Sequence, residues 1–243
     1  MIDPRKREDF SKFIVHLTRD YQGGLARDNL ISILRDKKIE ARNAHCLFTW
    51  KFDQMKFSKI LKKRFNTVCF TEIPLHQINR IVTDIPGRKI KLKPYGLVFW
   101  RDQLLERGAN PAIYINAHST QLRDYLIDQF NRHFEKTNLL KKLKQQQEFY
   151  KEIIRYYSLI NVIRDYHDFS WEREWRYQGY FRFQYREVVA IIAKDPHEFE
   201  RECQEKLIGK AVKYIGRIPI INPDWGYDEI IEEMSEKIWQ CRN

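Results

Sequence analysis

The chain has few cysteines, and their spacing is not the spacing typical of metal sites or disulfide scaffolds. Its four cysteines, Cys46, Cys69, Cys203 and Cys241, are far apart, and no two of them have Cys-x-x-Cys spacing. A zinc ribbon requires closely spaced thiolate pairs, and a disulfide scaffold requires a framework of regularly spaced cysteines. Because no other metal-ligand spacing is present, we expect neither a metal centre nor a disulfide framework.

Long apolar segments are missing as well. Residues 1–9 contain six charged side chains and no apolar core, so they do not resemble a signal peptide. No apolar run approaches the roughly 20 residues that are needed to cross a bilayer. We therefore expect a cytoplasmic protein that has no membrane partner.

Glycine and proline are sparse, with nine and eight residues among 243. No linker rich in glycine, serine or proline divides the chain, and no internal repeat is present, so the sequence predicts a single domain over residues 1–243. A Gly-x-Gly-x-x-Gly motif and a regular alternation of strands and helices are also absent. These absences argue against a Rossmann-type dinucleotide-binding domain.

Aromatic and basic residues are abundant. Aromatic residues make up 14% and hydrophobic residues 43% of the chain, which is typical of a folded globular protein. Forty-four basic residues against thirty-three acidic ones give a net charge of +11. This excess favours an anionic partner, with nucleic acid or nucleotide ahead of membrane.

Two basic clusters are candidates for a nucleic-acid interface, and the alternative is that they are ordinary solvated helix faces. Their residues are Lys56, Lys59, Lys62, Lys63 and Arg64 in the first cluster, and Lys141, Lys142 and Lys144 in the second.

Apolar periodicity predicts strands and helices on both sides of a long helical segment. Strands are predicted at 13–18, 67–71, 95–100, 112–115, 174–180, 188–193 and 212–215. Helices are predicted at 25–37, 75–82, 101–107, 196–207 and 227–239, with two more in the charged segment of about 120–166. This order indicates the α+β class with a helical insertion at about 120–166.

The densest group of charged and aromatic residues is the run from Trp171 to Arg176, which contains a Glu-x-Glu-Trp-Arg motif. As a strand, it would place Glu172, Glu174 and Arg176 on one face. Burying two carboxylates beside one guanidinium is costly, and such a cost is tolerated where a site needs an oriented carboxylate. The alternative is a solvated strand face with ordinary ion pairs.

Several segments taken in order resemble the AbiGi-type abortive phage-infection proteins. They are His16 in a strand with a following Leu-x-x-Ile-Leu helix, the run Cys-Phe-Thr-Glu-Ile-Pro-Leu at 69–75, Tyr-Gly-Leu-Val-Phe at 95–99, Gly-Ala-Asn-Pro-Ala-Ile-Tyr at 108–114, and Glu-x-Glu-Trp-Arg at 172–176. Their order is also similar to that of the wider ADP-ribosyltransferase superfamily. The resemblance covers about 13–116 and 168–193 and implies split, twisted sheets around a cleft that binds NAD.

The resemblance also implies roles for individual residues. Glu174, the second glutamate of the pair, is the expected catalytic carboxylate, and Glu172 would orient or deprotonate the acceptor. His16 would hydrogen-bond the ribose on the adenosine side of NAD. Thr18 and Thr71 would supply hydroxyl groups near the ligand, and a ring of Phe70 or Tyr114 would stack on nicotinamide. Tyr21, Tyr95 and Tyr114 are all candidates for the tyrosine of a His-Tyr-Glu triad.

Two functions from different classes follow. The first is an NAD-dependent ADP-ribosyltransferase, a toxic effector of abortive infection that modifies a nucleic acid, with RNA favoured over DNA. NAD is then a co-substrate, and a cognate antitoxin is an expected partner. The second is a non-catalytic antitoxin or binding module that uses the same fold to hold a nucleic acid or a partner toxin.

Overall fold

The structure, a computed structural model, describes residues 10–84, 90–118, 120–135, 143–163 and 170–242, with side chains as far as residue 237. Contacts between residues divide the chain into two compact units. The first unit comprises Met1–Ile39, Phe70–Gly108 and Arg182–Asn243, and the second comprises Glu40–Cys69 and Ala109–Phe181. Helices and strands mix along the chain, so the α+β class is confirmed. The single domain stays a prediction.

The described residues contain the following regular elements. The strands are β1 (Phe13–Leu17), β2 (Lys38–Ile39), β3 (Thr67–Thr71), β4 (Tyr95–Trp100), β5 (Asn110–Pro111), β6 (Ile113–Asn116), β7 (Ile160–Ile163), β8 (Glu174–Gln178), β9 (Phe181–Arg182), β10 (Val188–Ala193) and β11 (Ile220–Ile221). The α-helices are α1 (Ala26–Asp36), α2 (Lys51–Gln54), α3 (Lys59–Arg64), α4 (Asn79–Val82), α5 (Arg101–Glu106), α6 (Thr120–Phe134), α7 (Gln147–Leu159), α8 (Pro196–Lys206), α9 (Lys210–Ile215) and α10 (Tyr227–Arg242). Short 3₁₀ turns form at Leu75–Gln77, Ser170–Glu172 and Tyr185–Glu187.

The first unit contains strands in the order β11-β10-β4-β1, and Thr71 at the end of β3 pairs with Val15 of β1. β1 pairs antiparallel with β4, from Phe13 opposite Trp100 to Leu17 opposite Gly96. A Cβ atom on Gly96 would lie 2.4 Å from the backbone oxygen of His16, so the missing side chain lets β4 approach β1 closely.

The core of the first unit forms where the apolar face of this sheet is covered by helical segments. Val15, Val98 and Ile192 come from three strands of the sheet, and Ile78 and Ile230 come from helical segments packed on them. All five are at most 4% exposed. The strands predicted at 95–100 and 188–193 have the predicted bounds. Each is a short apolar run that is covered by packed side chains along most of its length.

The second unit contains the β3-β8-β5 part of the strand order and a separate two-stranded sheet of β6 and β7. β6 and β7 are parallel, with Ile113 opposite Ile160 and Asn116 opposite Ile163. Parallel neighbours require a long crossover connection. The segment predicted as a helical insertion supplies it, because α6 and α7 lie between these two strands in the chain. The strand β7 itself was missed by the sequence analysis.

Phenylalanine and tyrosine side chains fill the core of the second unit. Phe130 of α6 is completely buried and stacks on Phe48, with ring centroids 4.5 Å apart and an interplanar angle of 8°. Tyr157 of α7 meets both rings edge-on. Phe52 and Phe65 extend the cluster from α2 and the end of α3. Offset and edge-to-face pairs of this kind are favourable beyond the area that they bury.

One strand prediction was wrong. Residues 212–215 were expected to be a strand, but they belong to helix α9. The segment is short, so apolar residues alone do not distinguish the two structures. Val212 and Ile215 are three residues apart and therefore lie on one helix face, and Ile215 is 1% exposed.

We predict that Phe130→Ala lowers the free energy of unfolding by about 3–5 kcal/mol, because it leaves a cavity among packed rings. Tyr125→Ala on the same helix is the control, since Tyr125 is 60% exposed, and it should change stability by less than about 0.5 kcal/mol. Urea denaturation of both variants measures the difference. Equal effects would show that the ring cluster is not the core of the second unit.

Candidate active site

The Glu-x-Glu-Trp-Arg run is only partly a strand. Glu172 ends a 3₁₀ turn, Arg173 has a φ of 47°, and β8 begins at Glu174. The expectation that strand alternation places Glu172 and Glu174 on one face is therefore wrong. Side chains alternate between the two faces only where the backbone is extended, and Arg173, between the two glutamates, has a left-handed backbone conformation. Glu174 and Arg176, which are both in β8, do share a face.

The Glu174 carboxylate lies in a cluster of donors within the second unit. Arg176 donates from Nη2 to its Oε2 over 2.8 Å, and the Tyr114 hydroxyl donates to the same oxygen over 3.0 Å. The Cys69 thiol donates a further hydrogen bond to this carboxylate. The Glu174 side chain is 14% exposed and that of Arg176 is 1% exposed. The carboxylate is thus held in place near the edge of the buried region.

Strand pairing brings these residues together. Pro111 of β5 lies opposite Trp175, and the Ala112 amide donates to the Glu174 backbone oxygen over 2.8 Å. The chain then continues into β6, which carries Tyr114 to the Glu174 side chain. β3, which carries Cys69, is the other neighbour of β8 in the strand order. Two segments that are far apart in sequence therefore supply donors to one carboxylate.

Arg176 is anchored on its far side by a backbone carbonyl. Its Nη1 donates to the Ser158 oxygen near the end of α7 over 2.8 Å. Its Nε has no partner among the residues that the structure describes. A buried guanidinium with an unsatisfied donor carries a desolvation cost, and the paired carboxylate offsets part of it. Removing one partner should therefore lower the free energy of unfolding by more than the intact pair contributes to it.

The donors keep Glu174 ionised. Burial by itself raises the pKa of this carboxyl group, but the charge and hydrogen bond of Arg176 lower it, and the hydrogen bonds of Cys69 and Tyr114 add to this. The net result is a pKa below the ordinary value. Burial lowers the pKa of Arg176, but pairing with Glu174 outweighs it and raises that pKa overall. Both partners are charged at neutral pH.

The other two members of the cluster are neutral. Burial and the nearby charge of Glu174 raise the pKa of the Tyr114 hydroxyl and of the Cys69 thiol. Glu172 also raises the pKa of Tyr114 by its charge, so it lies close enough to act on this group. Tyr114 and Cys69 are therefore donors and not nucleophiles. Glu174 is the member of this cluster that is both charged and partly exposed.

The remaining predicted site residues lie in the first unit. His16 contacts the edge of the Phe70 ring, with centroids 5.7 Å apart, and Thr71 pairs with Val15. Thr18 is 4% exposed, and its hydroxyl lies 2.9 Å from the Ala26 oxygen and 3.0 Å from the Tyr95 oxygen. The first unit thus holds one group of predicted residues, His16, Thr18, Phe70 and Thr71, and the second unit holds the other, Tyr114, Glu172 and Glu174.

The two groups belong to different compact units, so their sharing of one NAD molecule stays a prediction. Phe70 is 2% exposed, whereas Tyr114 is only half-buried. Tyr114 is the more accessible of the two rings that were predicted to stack on nicotinamide.

In the described part of the chain, no group of three or more His, Cys, Asp or Glu side chains is arranged to hold a metal.

Sequence reasoning missed two contributors to the cluster. Cys69 was given no role of its own at the site, and Ser158 was not considered at all. Cys69 does lie within the run 69–75 that carries the family resemblance, which was an available signal. The Ser158 carbonyl gives no signal, because a backbone oxygen looks the same at every position of the sequence.

Comparisons of the chain with family models, with curated proteins and with solved structures found no match. Among the residues that the structure describes, no helix combines the length and the apolar character needed to cross a membrane.

We predict that Arg176→Met lowers the free energy of unfolding by about 3–5 kcal/mol, because it leaves the Glu174 charge buried without its partner. Adding Glu174→Gln should restore part of this loss. Arg132→Met is the matched control, because Arg132 and Asp128 pair over the same 2.8 Å but are 68% and 51% exposed, and its effect should stay below about 1 kcal/mol. A double-mutant cycle measures the coupling. Losses that simply add would contradict a coupled pair.

Glu174 should also make stability depend on pH. Its pKa is lower in the folded chain than in the unfolded chain, where it is about 4.3. The stabilisation is therefore complete above the unfolded pKa and is lost as pH falls through the folded pKa. We expect the stability difference between the wild type and Glu174→Gln to shrink on acidification. A difference that stays constant with pH would show that the Glu174 carboxyl does not titrate as described.

Proposed function

We propose that this protein is an NAD-dependent ADP-ribosyltransferase in which Glu174 is the catalytic carboxylate. One observation carries the proposal: an ionised glutamate at the start of β8 is oriented by Arg176 and Tyr114 and keeps part of its side chain exposed. This position is the one that the resemblance to ADP-ribosyltransferases assigns to the catalytic residue. The split-sheet fold of that superfamily is part of the same proposal.

The chemistry explains why such a carboxylate is useful. In transfer from NAD, the bond between nicotinamide and ribose breaks and its electron pair leaves with nicotinamide. Positive charge then develops on the ribose. A fixed negative charge stabilises that transition state more than the ground state, because it needs no reorganisation when the charge appears. Arg176 and Tyr114 hold Glu174 in place before the reaction begins.

The acceptor completes the reaction. Its nucleophilic atom bonds to the ribose carbon and loses a proton, and Glu172 is our proposed base for this proton. Glu172 is half-buried and electrostatically coupled to Tyr114, which supports a place close to Glu174. It stands on a separate turn, so the two glutamates have different surroundings, and different roles are consistent with that.

The biological setting that we propose is anti-phage abortive infection, with the protein as the toxic effector. The net charge of +11 supports a nucleic-acid acceptor, with RNA favoured, because phosphates attract a basic surface without regard to base sequence. A cytoplasmic location and a cognate antitoxin belong to this proposal as well.

One observation favours a second function, that of a non-catalytic binding module or antitoxin. Glu174 already accepts hydrogen bonds from Arg176, Tyr114 and Cys69. A carboxylate with three donors of its own chain is also what a purely structural ion pair looks like. The two functions differ in whether NAD is consumed.

We expect Glu174→Gln to reduce NAD hydrolysis and transfer by about 10²–10³-fold, because the amide keeps the shape but lacks the charge. Glu172→Gln should reduce transfer more than hydrolysis. Incubation with NAD labelled in its adenosine portion, together with separate pools of RNA, DNA and protein, measures both reactions. Circular dichroism checks that each variant is folded.

Glu135→Gln is the control, since it removes an exposed carboxylate from the same unit. Wild-type turnover in folded Glu174→Gln would reject the catalytic role. Absence of any NAD consumption by the wild type would favour the binding module. Equal losses in the two site variants would reject only the division of roles between the glutamates.

A further inference from the structure

An unusually basic segment lies on the outside of the second unit. Residues 50–66 contain six cationic side chains and a single carboxylate. We call the cationic group the basic surface, and its residues are Lys51, Lys56, Lys59, Lys62, Lys63 and Arg64. The segment begins with Trp50, whose side chain is 50% exposed.

The packing of this segment leaves its cationic side chains in solvent. Phe52, Phe57, Leu61 and Phe65 are at most 7% exposed and pack into the aromatic core. Because these four side chains occupy the inner face of α2, α3 and their connection, the lysines between them face solvent. Ser58 starts α3 by accepting a hydrogen bond from the Leu61 amide, which fixes the direction of the helix.

Most of these charges are not neutralised. Lys62 pairs with Asp53 over 2.5 Å. Lys56, Lys59, Lys63 and Arg64 are exposed and make no ion pair with any residue that the structure describes. Lys59 and Lys63 are four residues apart on the outer face of α3, where like charges destabilise a helix. Repulsion within the basic surface therefore lowers the stability of the fold, and an anionic partner would remove that repulsion.

An aromatic ring accompanies the charges. The Lys51 ammonium group lies 4.6 Å from the centre of the Trp50 ring, on one of its faces. A half-exposed indole next to unpaired lysines is the combination that binds single-stranded nucleic acid, because bases stack on the ring while phosphates contact the cations. A duplex or an acidic peptide has no free base to stack.

The basic surface is joined directly to the strand that carries Glu174. The Gln178 side chain donates to the Arg64 carbonyl over 2.9 Å, and the Gly179 amide donates to the Asn66 carbonyl over 2.9 Å. Gln178 is the last residue of β8, and Glu174 is the first. Four residues of strand span about 13 Å.

We infer that the basic surface and Trp50 form a docking site for single-stranded nucleic acid, which they hold within a short distance of Glu174. The binding rests on the surface alone, and only the delivery to Glu174 rests on the proposed function. The second basic cluster is not needed for this inference, since Lys141 and Lys142 lie outside the described residues.

The test is fluorescence anisotropy with a labelled 12-nucleotide single-stranded RNA, without NAD, over a range of salt concentrations. We expect binding that weakens steeply with salt, since each phosphate contact contributes about 0.7 to the slope for a single strand. The double variant Lys59→Ala/Lys63→Ala should bind at least roughly ten-fold more weakly at low salt and reduce the slope by about 1.4. Trp50→Ala should weaken binding about 5- to 100-fold without changing the slope, and Trp50→Phe should retain most of the affinity.

Lys210→Ala/Lys213→Ala is the matched control, because it removes the same charge from an exposed helix of the first unit. It should bind within about two-fold of the wild type if affinity comes from local contacts and not from net charge. Equal losses in the two lysine pairs, or a duplex that binds as tightly as the single strand with Trp50→Ala unchanged, would overturn the inference. So would the absence of binding at low salt.

The outcome separates this site from the catalytic proposal. Glu174→Gln should bind the RNA as the wild type does. RNA binding with the expected variant pattern but no consumption of NAD would leave the docking site standing and reject the transferase. Consumption of NAD without RNA binding would do the reverse.

Discussion

The buried pair of Arg176 and Glu174 is the interaction on which the polar site of the second unit depends. It joins β8 to α7 through the Ser158 carbonyl, and to β6 and β3 through Tyr114 and Cys69. Removing two charges from water is costly, and the pair alone offsets only part of that cost. The neutral donors complete the environment of the carboxylate, so the cluster is held together as a network and not as an isolated contact.

Around this network the second unit is stabilised by aromatic packing. The ring of Phe130 contacts partners from α2, α3 and α7 as well as Phe48. Rigid rings that interlock allow few alternative arrangements, which keeps α7 and its Ser158 carbonyl in position. The same core fixes the inner face of residues 50–66 and thereby turns their lysines outward. One packed cluster therefore orients both the ion pair and the basic surface.

In the function that we propose, Glu174 would be both structural and catalytic, and these two roles conflict. Donors that lower the pKa of Glu174 keep it charged, yet each donor also uses part of the acceptor capacity that a ribose would need. The Glu174 side chain is 14% exposed, so it is not fully enclosed by these donors. An ionised carboxylate of this kind is more useful against a developing positive charge than as a proton donor, because its pKa is low. This agrees with stabilisation of an oxocarbenium-like state and not with general acid catalysis.

The sequence by itself determined the α+β class and most of the regular elements, because apolar periodicity and turn residues are local properties of the chain. The strands at 67–71, 95–100 and 188–193 were predicted with the bounds that the structure has, and the run from Trp171 to Arg176 was recognised as the chemically unusual segment. A strand was predicted where α9 lies, and short elements such as β7, α2 and α3 were not predicted, because short segments take their conformation from their neighbours. Glu172 was also predicted to lie on the same face as Glu174, which the left-handed backbone at Arg173 prevents. Only the tertiary structure decided that Tyr114, Cys69 and the Ser158 carbonyl surround this ion pair, since contacts between distant segments depend on strand order and helix packing, which no local pattern encodes.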